Sequence, residues 1–268
     1  MPAIQLAKLK IETNHLAEKF HKPSKFVRDL HALCDHYAER TRRPGQAGEP
    51  PPLLSTYKVP SPVMRQVVKE LSPYVEEDNT GAIGLADALW EEPYLEFRLL
   101  AASILGMVEP LPVDRLMGRL NAWVDANTDD RLLTAFMEVG LARLREEQTG
   151  TYMGQIRSWL DSEAIFPQRL GLRALLYLLK SQNFENVPAV MRLIAPLVRS
   201  TPARLRADIV DVIQVLARRS PKETAYFLRQ NLELKTDNPG TAWVIRHSLN
   251  CFPIEIQASL RQAMRSET

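Results

Sequence analysis

Residues 172–179 read LRALLYLL, and this octet decides the fold class. Leu and Ala dominate it and no β-branched residue interrupts it, which favours helix over strand. Working outward, apolar residues recur at helical spacing along almost the whole chain. No stretch alternates apolar and polar residues between Asn-Gly or Asp-Gly turns. The expected fold is therefore all-α.

Prolines punctuate the pattern. Ser61-Pro62, Ser72-Pro73, Thr201-Pro202 and Ser220-Pro221 each place a hydroxyl residue before Pro, an order that suits an N-cap followed by the first helical position. Ser72-Pro73 is expected to end a helix instead. The spacing predicts helices at 4–20, 23–42, 61–71, 79–90, 93–108, 112–125, 128–147, 151–160, 164–182, 186–199, 202–218, 221–233, 240–250 and 253–266. Segment 43–60, RPGQAGEPPPLLSTYKVP, lacks a period and reads as a linker. It separates an N-terminal helical pair, 1–42, from a repeat domain, 61–268. Helices joined by short loops, grouping into pairs near 79–108, 112–147, 151–182, 186–218 and 221–250, predict a HEAT-like helical-repeat solenoid, an α-α superhelix.

The chain has 268 residues, 34 Lys and Arg against 32 Asp and Glu, and two Cys. Cys34 and Cys251 lie far apart, which excludes a disulfide framework and a thiolate zinc cluster. Four of the five His fall within the first 36 residues and form no HExxH pair, so neither a metal nor a cofactor is expected. No apolar run is long enough to span a membrane, and 1–15 has no continuous apolar core of a secretory signal. A cytoplasmic monomer with no membrane partner is expected. A net charge of +2 is too small to announce a nucleic-acid ligand in bulk, so any such site needs cations gathered on one face.

They do gather. Arg169, Arg173 and Lys180 fall within a narrow stripe of one helix. Arg199, Arg204, Arg206, Arg218, Arg219 and Lys222 follow, against only Asp208 and Asp211. Acidic residues concentrate elsewhere, at Asp87, Glu91, Glu92 and Glu96 and at Asp125, Asp129 and Asp130. The free N–H groups after Ser61, Thr201 and Ser220 are further candidate anion sites.

Four segments, in order, carry a resemblance: YKVPSPVMRQVVKEL (57–71), LADALWEEPYLEFRLLAASIL (85–105), LDSEAIFPQRLGLRALLYLL (160–179) and RADIVDVIQVLARRSP (206–221). Together they resemble the AlkD-like DNA alkylation repair superfamily, the HEAT-like repeat alkylpurine DNA glycosylases, over about 57–250. The resemblance implies a C-shaped solenoid that holds double-stranded DNA in a basic concave groove. It also implies an Asp and two Trp facing the damaged nucleotide. This chain departs from that pattern. Anchored on Gly140, the Asp falls at Leu132 and the first Trp at Thr128; the second Trp falls at Asp211.

The expected DNA-binding residues are Ser61, Arg65, Arg169, Arg173, Lys180, Arg204, Arg218, Arg219 and Lys222, with Asp211 as the candidate catalytic carboxylate. The expected function is DNA binding with a degenerate glycosylase pocket. The alternatives are an active N-alkylpurine glycosylase with relocated groups and a HEAT-like protein scaffold. Trp90, Trp123, Trp159 and Trp243 read as packing residues, and Tyr177 flanks the Arg169 stripe.

Overall fold

A computed structural model describes residues 5–39, 54–109, 113–234 and 240–265. Apart from an isolated bridge between Ser55 and Tyr94, the described residues contain helices and connecting segments but no strand. They form two compact units, within residues 1–147 and 148–268.

The first unit contains α1 (Leu6–Ala17), α2 (Pro23–Tyr37), α3 (Ser61–Glu77), α4 (Asn79–Trp90), α5 (Leu95–Met107), α6 (Val113–Trp123), α7 (Asp130–Ala135) and α8 (Ala142–Glu147). A π-helical turn, Phe136–Gly140, joins the last two. The helices pack in two rows: α1 against α3, α3 against α5 and α5 against α7, with α2 against α4 behind them. The second unit contains α9 (Thr149–Leu160), α10 (Ile165–Lys180), α11 (Val187–Ser200), α12 (Arg206–Arg219), α13 (Pro221–Glu233), α14 (Gly240–Ser248) and α15 (Ile254–Arg265). Here α10, α12 and α14 make one row, and α9, α11, α13 and α15 the other. Alternate helices stacking on alternate helices is the HEAT-like repeat arrangement, and it buries one stripe of each helix.

The stripe explains why α3 outruns its sequence expectation. Ser72-Pro73 was predicted to stop the helix, yet α3 continues to Glu77 with Pro73 inside it. Val63, Val67, Leu71 and Val75 recur every four residues and are all buried. Burial of that last Val outweighs the single hydrogen bond that Pro73 removes. Asp78 then ends α3 and opens α4, its Oδ1 accepting from the Gly81 N–H at 2.9 Å.

Thr201-Pro202 also departs from expectation. Thr201 closes α11 with a left-handed backbone (φ 40°), and its hydroxyl donates to the Val198 carbonyl. A 3-10 turn, Ala203–Leu205, intervenes before α12. The hydroxyl is thus spent on a C-terminus, not offered at an N-terminus. Ser220 does sit at the N-cap of α13 with Pro221 behind it, whereas Ser61 is the first helical residue after Pro60.

The single helix expected over 128–147 is α7, the π turn and α8. Gly106 allows the cause: a Cβ there would lie 2.1 Å from the Val139 carbonyl oxygen, so α5 and the π turn touch backbone to backbone. Buried Arg145 reaches back and donates to the Met137 and Glu138 carbonyls at 2.8 and 3.2 Å. Those are acceptors that the shifted π pattern must satisfy. The linker expected at 43–60 falls mostly outside the described residues. The expected N-terminal pair corresponds to α1 and α2, which continue the two rows by packing on α3 and α4. No helix among the described residues is long and apolar enough to cross a membrane.

Candidate nucleic-acid interface

In the second unit the α10–α12 contact brings together much of what the sequence singled out. Leu170, Ala174, Leu175 and Leu178 of α10 are buried, which turns Arg169, Arg173 and Lys180 away from the core. On α12, burial of Ile209, Val212, Ile213 and Leu216 turns Asp208, Asp211 and Arg218 outward in the same way, and Arg204 is exposed on the 3-10 turn just before it. The two polar stripes meet at Asp208. Its Oδ2 accepts from Arg169 Nε at 3.3 Å, and its Oδ1 lies 3.6 Å from Arg173 Nε. Arg169 also donates through Nη2 to the Arg204 carbonyl at 2.9 Å.

Two of the guanidinium groups are therefore held by one carboxylate. The side chains of Arg204 and Arg218 are exposed, with no hydrogen bond or ion pair among the described residues. Lys180 lies 4.7 Å above the Tyr177 ring. Five cations on this surface face two carboxylates, Asp208 and Asp211. Asp211 is exposed, yet its carboxyl is pushed above the usual value. Partial desolvation is the main cause and the Asp208 charge adds to it, while Arg173 pulls the other way.

The remaining cations go elsewhere. Arg219 donates to the Leu179, Ser181 and Phe184 carbonyls, so it closes the C-terminus of α10. Lys222 and Arg199 belong to the other row, beside a cavity of about 1020 Å³ lined by α11 and α13. Arg199 donates there to Asn231 Oδ1 at 3.1 Å. Arg206 stands over Trp243, 4.9 Å from the ring centre, and Trp243 stacks on His247. The basic run 199–222 is continuous in sequence but divides between two surfaces.

In the first unit Ser61 and Arg65 line a cavity of about 960 Å³ beside α3 and α5. Lys58, Arg131 and Glu96 line it too, and the sequence reading had not put these three with them. Lys58 has a left-handed backbone, φ 55°, which is costly for a residue with a Cβ and must be held by its surroundings. It is held by a short chain: the Lys58 N–H donates to Thr56 Oγ1 at 3.0 Å, and that hydroxyl donates to Glu96 Oε1 at 2.7 Å. Glu96, one of the acidic residues that concentrate at 87–96 in the sequence, is only 6% exposed. Its Oε2 is buried and has no hydrogen-bond partner among the described residues. Arg131 is exposed and pairs with Asp129 at 2.8 Å; that bond, aided by the Glu96 charge, raises its affinity for its proton.

Leu132, where the resemblance places an Asp, is 1% exposed and faces the core from α7. Trp90 and Trp123 stack on each other at 4.8 Å, and Trp159 is buried. No group of three or more His, Cys, Asp and Glu among the described residues could hold a metal ion.

A model of the DNA alkylation repair enzyme family matches residues 54–249. No curated protein and no solved structure matches the chain. The matched span runs from the segment before α3 through α14, and so includes every helix that carries the residues described above. The chain belongs to the DNA alkylation repair enzyme family.

Proposed function

We propose that this chain is a cytoplasmic, monomeric protein that binds double-stranded DNA and lacks the usual glycosylase pocket. The observation that carries the reading is the α10–α12 surface, where Arg204 and Arg218 stand free beside Arg169, Arg173 and Lys180. Free guanidinium groups on one face attract phosphates by releasing counterions, and they need no large net charge to do so. The α3 cavity, with Arg65 and Lys58, adds a second cationic surface in the other unit. Of the residues expected from sequence, the proposal keeps Ser61, Arg65, Arg169, Arg173, Lys180, Arg204 and Arg218 as DNA contacts. Arg219 and Lys222 leave the set, one spent on carbonyls and the other in the opposite row.

Degeneracy of the pocket rests on Leu132: a fully buried Leu offers no carboxylate to an oxocarbenium-like transition state. The test is a salt titration of duplex binding. Replacing Arg204 and Arg218 together by Ala should weaken binding and reduce the slope of log K against log salt by about 1.8, or about 0.9 per phosphate contact. Both side chains are exposed and unpartnered, so the fold should be unaffected. Unchanged affinity and slope would sink the proposal, and failure to bind DNA even at low salt would favour a protein partner.

One observation favours a second reading. The raised Asp211 carboxyl beside cations is the kind of group that relocated glycosylase chemistry would use. Release of methylated purines from DNA, abolished by Asp211→Asn, would support it; release at the uncatalysed rate would eliminate it.

A further inference from the structure

We infer that the cavity beside α3 and α5 takes one unpaired nucleotide of bound DNA, with its phosphate on Lys58, Arg65 and Arg131 and its base donating an exocyclic N–H to Glu96. The inference rests on the DNA-binding reading and adds a ligand to one of its surfaces. Three features of the cavity have to be satisfied together. Its polar lining has three cations, all exposed. Its walls include Met64, Val68, Leu95 and Leu99, an apolar surface suited to a flat ring. Glu96, nine-tenths buried, lines the same cavity, and one of its carboxylate oxygens, itself buried, accepts no hydrogen bond among the described residues.

Simple ligands fail one requirement or another. A free inorganic anion would use the cations but leave the apolar wall bare and meet the Glu96 charge. A cationic amine would suit Glu96 and be repelled by three positive side chains. A nucleotide carries an anion at one end and N–H donors on a planar apolar body at the other. The volume of about 960 Å³ lies within the range of small-ligand sites. A buried carboxylate oxygen without a donor is unfavourable, and an amino group from the ligand would relieve it. Cytosine is the simplest probe because its N4 amino group is the usual donor to Glu.

The local structure keeps Glu96 ready for this. Its other oxygen is fixed by the Thr56 hydroxyl at 2.7 Å and the Val59 N–H at 3.4 Å, and the same Thr56 holds the Lys58 backbone. The group that would meet the base and one that would meet the phosphate are thus tied to a single side chain.

The experiment measures binding of the full chain to three duplexes: fully paired, with one unpaired cytosine, and with an abasic residue in place of that cytosine. The unpaired cytosine should bind about tenfold tighter than the abasic residue, the size of one discriminating base contact. Glu96→Gln keeps an acceptor for Thr56 and Val59 but turns an amide N–H towards the base. It should bring the ratio close to one without weakening affinity for the paired duplex. Ser103→Phe, which fills the cavity from a half-buried lining position, should do the same without touching Glu96. Equal binding of the cytosine and abasic duplexes by the unmutated chain overturns the inference, as does a ratio that survives both substitutions. In either case, normal binding of the paired duplex leaves the DNA-binding reading standing. If no duplex binds, that reading fails and the pocket's role fails with it.

Discussion

Asp211 shows what one side chain can contribute when its neighbours disagree about its charge. A carboxyl whose pKa is raised by folding holds its proton more tightly in the folded chain. Its ionised form therefore opposes folding above that pKa, and the opposition disappears as pH falls through it. Asp211→Asn should raise the thermal midpoint slightly at neutral pH, within the roughly 0–1 kcal/mol of an exposed charge, and the difference should close at acid pH. The same substitution removes a negative charge from the α10–α12 surface, so DNA binding at neutral pH should tighten. Calorimetry across a pH series and a parallel binding titration check both outcomes. At this scale the sequence was partly legible. Arg169 and Arg173 could be placed on one stripe from their spacing, because the helical period fixes azimuth. Glu96 could not be read correctly, since nothing in EEPYLEF separates a solvated Glu from a buried one. Only the fold-back of Thr56 and Val59 onto α5 makes that distinction.

At the scale of the element, two arginines act on helix ends and turns. Arg219 supplies donors to three carbonyls at and beyond the end of α10. Arg219→Ala should cost about 1–3 kcal/mol, the penalty for carbonyls left without partners. Because this side chain is not among the proposed DNA contacts, the salt slope of binding should stay as it was. A melting curve together with a salt titration separates the two effects. Arg145→Ala should likewise destabilise the first unit by about 1–3 kcal/mol, since it strips the π turn of the donors for Met137 and Glu138. Hydrogen exchange should then rise first in residues 136–147. Most helices were visible as periods between prolines, but three local departures were not. Pro73 is overridden by the buried stripe of α3, Thr201 serves the helix before it, and the π turn follows from the contact that Gly106 permits. Each is decided by packing between elements, which no local period encodes.

At the scale of the molecule, a near-neutral net charge is compatible with the proposed DNA binding, because five cations gather on the α10–α12 surface against two carboxylates. The run 199–222 has its cations on both rows of the second unit, so only part of that run can meet any one ligand. A linear count of basic residues over that stretch therefore overstates the phosphate contacts. We expect the salt slope to reflect a handful of contacts and to be the same for duplexes of unrelated sequence, since the contacts proposed for the α10–α12 surface are to backbone phosphates, which carry no sequence information. Competition with duplexes of different composition checks this; a strong preference for one sequence would contradict it. The family relationship was legible from four short segments because they keep their order, and the family match covers them all.

The clasp of Arg169 and Arg173 on Asp208 has a kinetic consequence. A phosphate reaching either guanidinium must compete with a ligand already in place, so attachment is an exchange and not a simple addition. If this surface binds DNA as proposed, it should grip the duplex lightly and release it readily. Neutralising Asp208 as Asn should lengthen the residence time on undamaged duplex.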